Sequence, residues 1–225
     1  MSQYEENQML LEFMDNFSLE TYSNFLTYRT YRRKNHPYEY WYEASVEEIE
    51  GSAQYVELRA LKQLDRKLYN ERIQRLKERI LKAEDVFPIR VKCYDAGALF
   101  FQVLKENHLL DFEDCTDSLS ADAVLSDKQM CDIEINLNKA IVKGLEDHKT
   151  ATLERIQRGL DEGELIETGE LELLGVNVYD ARYAKGYVLS THFVYYRKDD
   201  NEKVAYGDFL IQLDGQNRGE KLYKI

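Results

Sequence analysis

Ile156-Gln157-Arg158-Gly159-Leu160-Asp161-Glu162-Gly163-Glu164-Leu165-Ile166 is where the grammar of this chain changes. Upstream, Met130, Ile133, Leu137, Ile141, Leu145, His148, Thr152, Ile156 and Leu160 recur at the spacing of one helix face. Ser126-Asp127-Lys128-Gln129 offers a capping box at the start, and Gly163 stands where a helix terminates. The spacing predicts a long helix over about residues 127–161. Downstream the period shortens. Leu165-Ile166 and Leu171-Glu172-Leu173 flank Thr168-Gly169 as the arms of a hairpin would. Tyr187, Leu189, Phe193 and Tyr195 alternate with Val188, Ser190, His192 and Val194, and Asp199-Asp200-Asn201 supplies a turn before Val204–Tyr206 and Phe209–Ile211. Helices followed by antiparallel strands make an α+β fold, not a βαβ repeat. A mainly helical part, 1–163, and an antiparallel β part, 164–225, are expected to share one core.

Working back toward the N-terminus, Met9, Leu10, Phe13, Met14 and Phe17 outline a first short helix. Ser18 caps a second, with Leu19, Tyr22, Phe25 and Leu26 on one side; it ends near Asn35, because Pro37 pushes His36 out of helical angles. Ser45-Val46-Glu47-Glu48 reads as a capping box for a second long helix, about 45–85. Its apolar stripe runs through Ile49, Ala53, Val56, Ala60 and Leu64, then drifts to Leu61, Leu68, Ile73, Leu76 and Ile80. Gly51 weakens its first turns by about 1 kcal/mol relative to alanine. Phe87, Ile89, Val91 and Cys93 alternate with polar neighbours and predict a strand over 87–94, followed at Asp95-Ala96-Gly97 by a short helix carrying Leu99, Phe100, Val103 and Leu104.

Composition excludes several classes. Cys93, Cys115 and Cys131 are odd in number and widely spaced, without a CxxC pair or Cys/His cluster, so neither a zinc site nor a disulfide framework is expected. Met1-Ser2-Gln3-Tyr4-Glu5-Glu6 is acidic where a signal peptide is basic, and no apolar run approaches the roughly 20 residues of a membrane helix. A cytoplasmic protein without a membrane partner is expected. No phosphate loop, dinucleotide fingerprint, HExxH, GxSxG or EF-hand motif occurs. His148 with Glu154, or His192 with Asp208, are the acid–base pairs the fold could assemble, but each histidine also suits its place in a helix or strand. No catalytic residue, metal ligand or cofactor is assigned. The acidic run Asp111, Glu113, Asp114, Asp117 lacks the glycine and ligand spacing of a calcium loop and is expected to be solvated.

The formal net charge is −12, yet the basic residues are concentrated. Residues 1–90 hold 14 Lys/Arg against 16 Asp/Glu, whereas the remainder holds 16 against 26. Within Tyr28–Tyr42, Tyr31, Arg32, Arg33, Lys34, Tyr38, Tyr40, Trp41 and Tyr42 combine cations with rings, the composition of a binding hot spot. An extended backbone there would place Tyr38, Tyr40 and Tyr42 on one side and Trp41 on the other. Arg59, Lys62, Arg66, Arg72, Arg75, Arg79 and Lys82 form a basic stripe on the following helix. These features favour a protein that acts by binding another protein, as an inhibitor, immunity protein or adaptor would, through the Tyr31–Tyr42 cluster. Two alternatives stay open: a nucleic-acid-binding module using the 59–82 stripe with the cluster, and an enzyme or small-ligand binder with a pocket at the C-terminal sheet lined by Tyr187, Phe193, Tyr195, Tyr206 and Phe209. The sequence leaves the oligomeric state open.

Overall fold

The computed structural model describes residues 1–85, 87–109, 119–125 and 133–225. The acidic run at 111–117, Cys115, Cys131 and the capping box at 126–129 lie outside them. The order is helices first and a seven-stranded antiparallel sheet after, an α+β fold. Two compact units, Met1–Gly144 and Leu145–Ile225, divide the chain.

In the first unit, α1 (Ser2–Asp15) and α2 (Leu19–Asn35) are joined by a tight cap. Ser18 Oγ accepts from the Thr21 amide, and Thr21 Oγ1 accepts from the Ser18 amide, satisfying two helix-end donors at once. As the sequence predicts, α2 stops at Asn35. The next helix, however, begins at once: α3 (Pro37–Val46) has proline at its first position, where the missing N–H costs nothing. Tyr38–Tyr42 is therefore helical, not extended. Ser45 is not a cap either, because it lies inside α3 and its hydroxyl donates to the Trp41 carbonyl at 2.7 Å.

The expected helix over 45–85 is broken into pieces. A π-helical turn, Glu47–Gly51, links α3 to α4 (Ser52–Leu64), and Asp65, extended at φ −149°, ends α4. The Asp65 carboxylate then accepts from the Leu68 amide and starts α5 (Arg66–Ile80). The expected strand at 87–94 is also absent. Pro88 leads into α6 (Ile89–Glu106), and Asp95-Ala96-Gly97 is interior helix rather than a break. Every residue from Asp95 to Leu104 is buried, so α6 is the central helix of the unit. A helix buried all round has no polar face for periodicity to reveal. Leu10, Phe13, Phe25, Leu58, Leu76 and Ile80 fill the core around it, with its own Leu99 and Phe100. The short α7 (Leu119–Asp122) contributes Ser120 and Ala121 to the interior.

α8 (Lys139–Glu162) starts twelve residues later than the pattern suggests; residues 133–138 are not helical, and Asn138 Oδ1 accepts from the Ala140 and Ile141 amides. In the second unit the sheet order is β2 (Arg182–Ala184), β3 (Tyr187–Ser190), β6 (Phe209–Leu213), β7 (Gly219–Lys224), β1 (Glu164–Val176), β4 (Phe193–Lys198), β5 (Asn201–Tyr206). β1 is one long strand rather than a hairpin. Its first half pairs with β7 and its second with β4, with register shifts that absorb Gly169 at φ +104°. Leu171, Val194, Tyr196, Phe209, Ile211 and Leu222 meet in one cluster although β6 and β4 are three places apart, so the sheet curls around them. On the opposite face, Ile156 of α8 packs on Leu189 and Leu210.

Candidate interaction surface and the ionic core beneath it

The Tyr31–Tyr42 cluster divides into an inside and an outside. Arg32 and Tyr40 are buried, as is Arg29, which the sequence reading did not single out. The Arg29 guanidinium donates to Glu6 Oε1 (2.8 Å), Glu47 Oε2 (3.0 Å), the Ser120 carbonyl (2.5 Å) and the Ser120 hydroxyl (2.9 Å). It also lies 5.3–5.6 Å from the ring centres of Phe25, Tyr40 and Phe100. Arg32 bridges Glu6 (2.5 Å) and Glu43. The Tyr40 hydroxyl donates to the Ala121 carbonyl at 2.8 Å, and the Ser120 hydroxyl donates to Glu47 at 2.5 Å. Burial alone would lower the Arg29 pKa, but the Glu47 and Glu6 carboxylates outweigh it and hold it above its ordinary value. Burial first of all raises the Tyr40 phenol.

This network locks the phase of the α3–π–α4 run. Glu43, Ala44, Glu47, Gly51, Tyr55 and Leu58 face inward. A Cβ on Gly51 would stand 2.7 Å from Gly97 Cα, so the two helices touch backbone to backbone there. The outward face is consequently apolar. Ile49, Val56 and Leu64 are 70, 63 and 85% exposed, with Ala53 and Ala60 between them. The stripe that sequence periodicity assigns to the core is thus on the surface.

At the start of that face stand Tyr38, 83% exposed, and Trp41 and Tyr42, each about two-fifths exposed. The Arg33 guanidinium sits 5.2 Å from the centre of the Trp41 ring, and Lys34 is exposed beside it. Tyr31 is half-buried against His36. Arg90 of α6 donates to Tyr42 Oη (3.4 Å), Tyr94 Oη (3.0 Å) and Glu50 (3.0 Å), which anchor its charge; the Tyr42 bond leads in raising its pKa. Helical spacing of i, i+3 and i+4 puts Tyr38, Trp41 and Tyr42 on one ridge, with Tyr40 turned into the core.

The basic stripe does not form one continuous face, because Asp65 divides it between α4 and α5. Lys62 pairs with Glu106 at 2.7 Å, Arg75 lies 3.9 Å from Glu71, and Arg79 and Lys82 are held by Asp95 and Asp85. Arg59 donates to Tyr55 Oη at 2.9 Å. Arg66 and Arg72 make no ion pair with a described residue. Among the described residues no group of three or more His, Cys, Asp or Glu is arranged to hold a metal, and no helix is long and apolar enough to cross a membrane. His192 meets Asp208 through its backbone amide (3.2 Å), while its ring contacts Asn177; His148 has Arg182 and Asp180 as neighbours. Tyr206 is exposed and Phe209 is in the packed core, so the two do not line a common cavity.

No family model, curated protein or solved structure matches this chain. The arrangement of its own residues therefore carries the functional argument. Glu6, Glu43, Glu47 and Ser120 completed a site that the sequence reading found only in part. One signal was present: Arg29 and Arg32, and Glu43 and Glu47, fall at i, i+3 and i, i+4 within the apolar phase of their helices. Charges at core positions are rare unless paired.

Proposed function

We propose that this chain acts by binding another protein through the ridge of Tyr38, Trp41 and Tyr42 with Arg33 and Lys34. The supporting observation is the exposure of Tyr38 and Trp41 on a helix whose opposite side is pinned by Tyr40 and Glu43 in the ionic core. Aromatic side chains on a pinned helix lose little freedom on docking, which makes them effective anchors. Arg33 over Trp41 and the exposed Lys34 give the ridge a positive rim, suited to an acidic edge on the protein it meets. An adaptor, inhibitor or immunity role in the cytoplasm is consistent with such a ridge.

The nucleic-acid alternative has weaker support, because phosphate would have to displace the carboxylates that already hold Lys62, Arg75, Arg79 and Lys82. The test is co-purification from the cells that make the protein, comparing wild type with a Tyr38→Ser/Trp41→Ser variant. A protein recovered with wild type and lost with the variant, at unchanged circular dichroism, is the expected result. Equal recovery with both removes the ridge from consideration.

A further inference from the structure

The exposed stripe of Ile49, Ala53, Val56, Ala60 and Leu64 uses different residues from the ridge and has a property of its own. Read from either end it is nearly the same: a large apolar side chain, alanine, valine, alanine, a large apolar side chain. A two-fold axis beside Val56 would set Ile49 of one copy against Leu64 of the other. It would also set each Ala53 against an Ala60 and bring the two Val56 side chains together. The 15 residue steps from Ile49 to Leu64 span about 22 Å of helix, and the alanines allow axes as close as about 8 Å.

Charge selects the same direction. Residues 37–58 contain no Lys or Arg, and Glu39, Glu48, Glu50 and Glu57 lie exposed or half-exposed along them. The last turns of α4, residues 59–64, contain Arg59 and Lys62, the latter also paired with Glu106, and no acidic residue; Arg66 and Lys67 follow beyond Asp65 at the start of α5. Antiparallel pairing lays the acidic half of each helix beside the basic half of the other, whereas parallel pairing stacks like on like. Apolar exposure of this extent along one helix is what a covered surface looks like in the absence of its cover.

We propose that this face is an isologous interface and that the occupant is a second copy of this chain, with α4 antiparallel to α4 about Val56. The full chain should sediment as a concentration-dependent dimer, and Val56→Lys, introducing two ammonium groups at the axis, should weaken association by about thirtyfold or more while leaving the melting curve unchanged at concentrations where wild type is monomeric. Under mild oxidation Val56→Cys should form a disulfide with its own copy. Leu64→Cys alone should not, but should link when mixed with Ile49→Cys, because those two positions face each other. Wild type, with its native cysteines, sets the background. A chain that stays monomeric at about 100 μM, a dimer that survives Val56→Lys, or a Val56→Cys dimer that does not cross-link would each overturn the proposal.

Discussion

Replacing Arg29 by methionine should unfold the first unit far more readily than an ordinary core substitution of similar size. The side chain is 2% exposed and makes four hydrogen bonds, two of them to carboxylates, besides lying against three aromatic rings. Methionine keeps much of the packing volume but leaves Glu47 without a cationic partner and Glu6 with Arg32 alone, and both carboxylates are 2% exposed. Breaking a buried pair from one side costs about 3–5 kcal/mol, because the remaining charge is left without compensation. At about 2–4 °C per kcal/mol for a domain of this size, the melting temperature should fall by roughly 10 °C. Thermal unfolding followed by circular dichroism reads the melting temperature, and urea unfolding the free-energy loss. A melting temperature within about 2 °C of wild type would refute the structural role given to this network.

Gly51→Ala places a methyl group against the Gly97 backbone, which cannot swing aside, and should destabilise by about 1–3 kcal/mol in urea titrations. Hydrogen bonds from Lys198 and then Lys203 hold the Glu167 carboxyl down at about 2. It therefore contributes stability above its unfolded value, and that contribution is lost as pH falls from about 4.5 toward 2; Glu167→Gln should flatten this part of a pH series of urea midpoints. Burial raises the Cys93 thiol well above its usual range, so iodoacetamide at pH 8 should label it only after urea is added, as read by peptide mass spectrometry.

Much of the architecture is legible because it rests on local rules. Ser18 and Pro37 mark the limits of α2, and the change of period at Gly163 marks the passage from α8 to the sheet. What escapes is decided by contacts distant in sequence. The alternation at 87–94 resembles a strand, yet these residues are the half-exposed entry to α6, where polar Lys92 is buried beside Cys93 and the helix becomes fully enclosed only from Asp95. Ile49, Val56 and Leu64 look like a core stripe, yet the Gly51–Gly97 contact and Glu47 on Arg29 turn the helix the other way. Glycine is read locally as a weak helix former; here it is the site of closest approach. For the candidate site, Trp41, Tyr38, Arg33 and Lys34 occupy the surface that the sequence suggests, whereas Arg32 and Tyr40 belong to the interior. Only tertiary pairing with Glu6 and Glu43 separates one arginine from the next.

The most direct test of the binding ridge is photo-crosslinking in the cells that make the protein, with p-benzoylphenylalanine placed at Trp41 and, as control, at the exposed turn residue Gly215. The ridge predicts a covalent adduct with a defined second protein from position 41 and none from position 215. Irradiation that gives no adduct at position 41, or the same adducts at both positions, would contradict it.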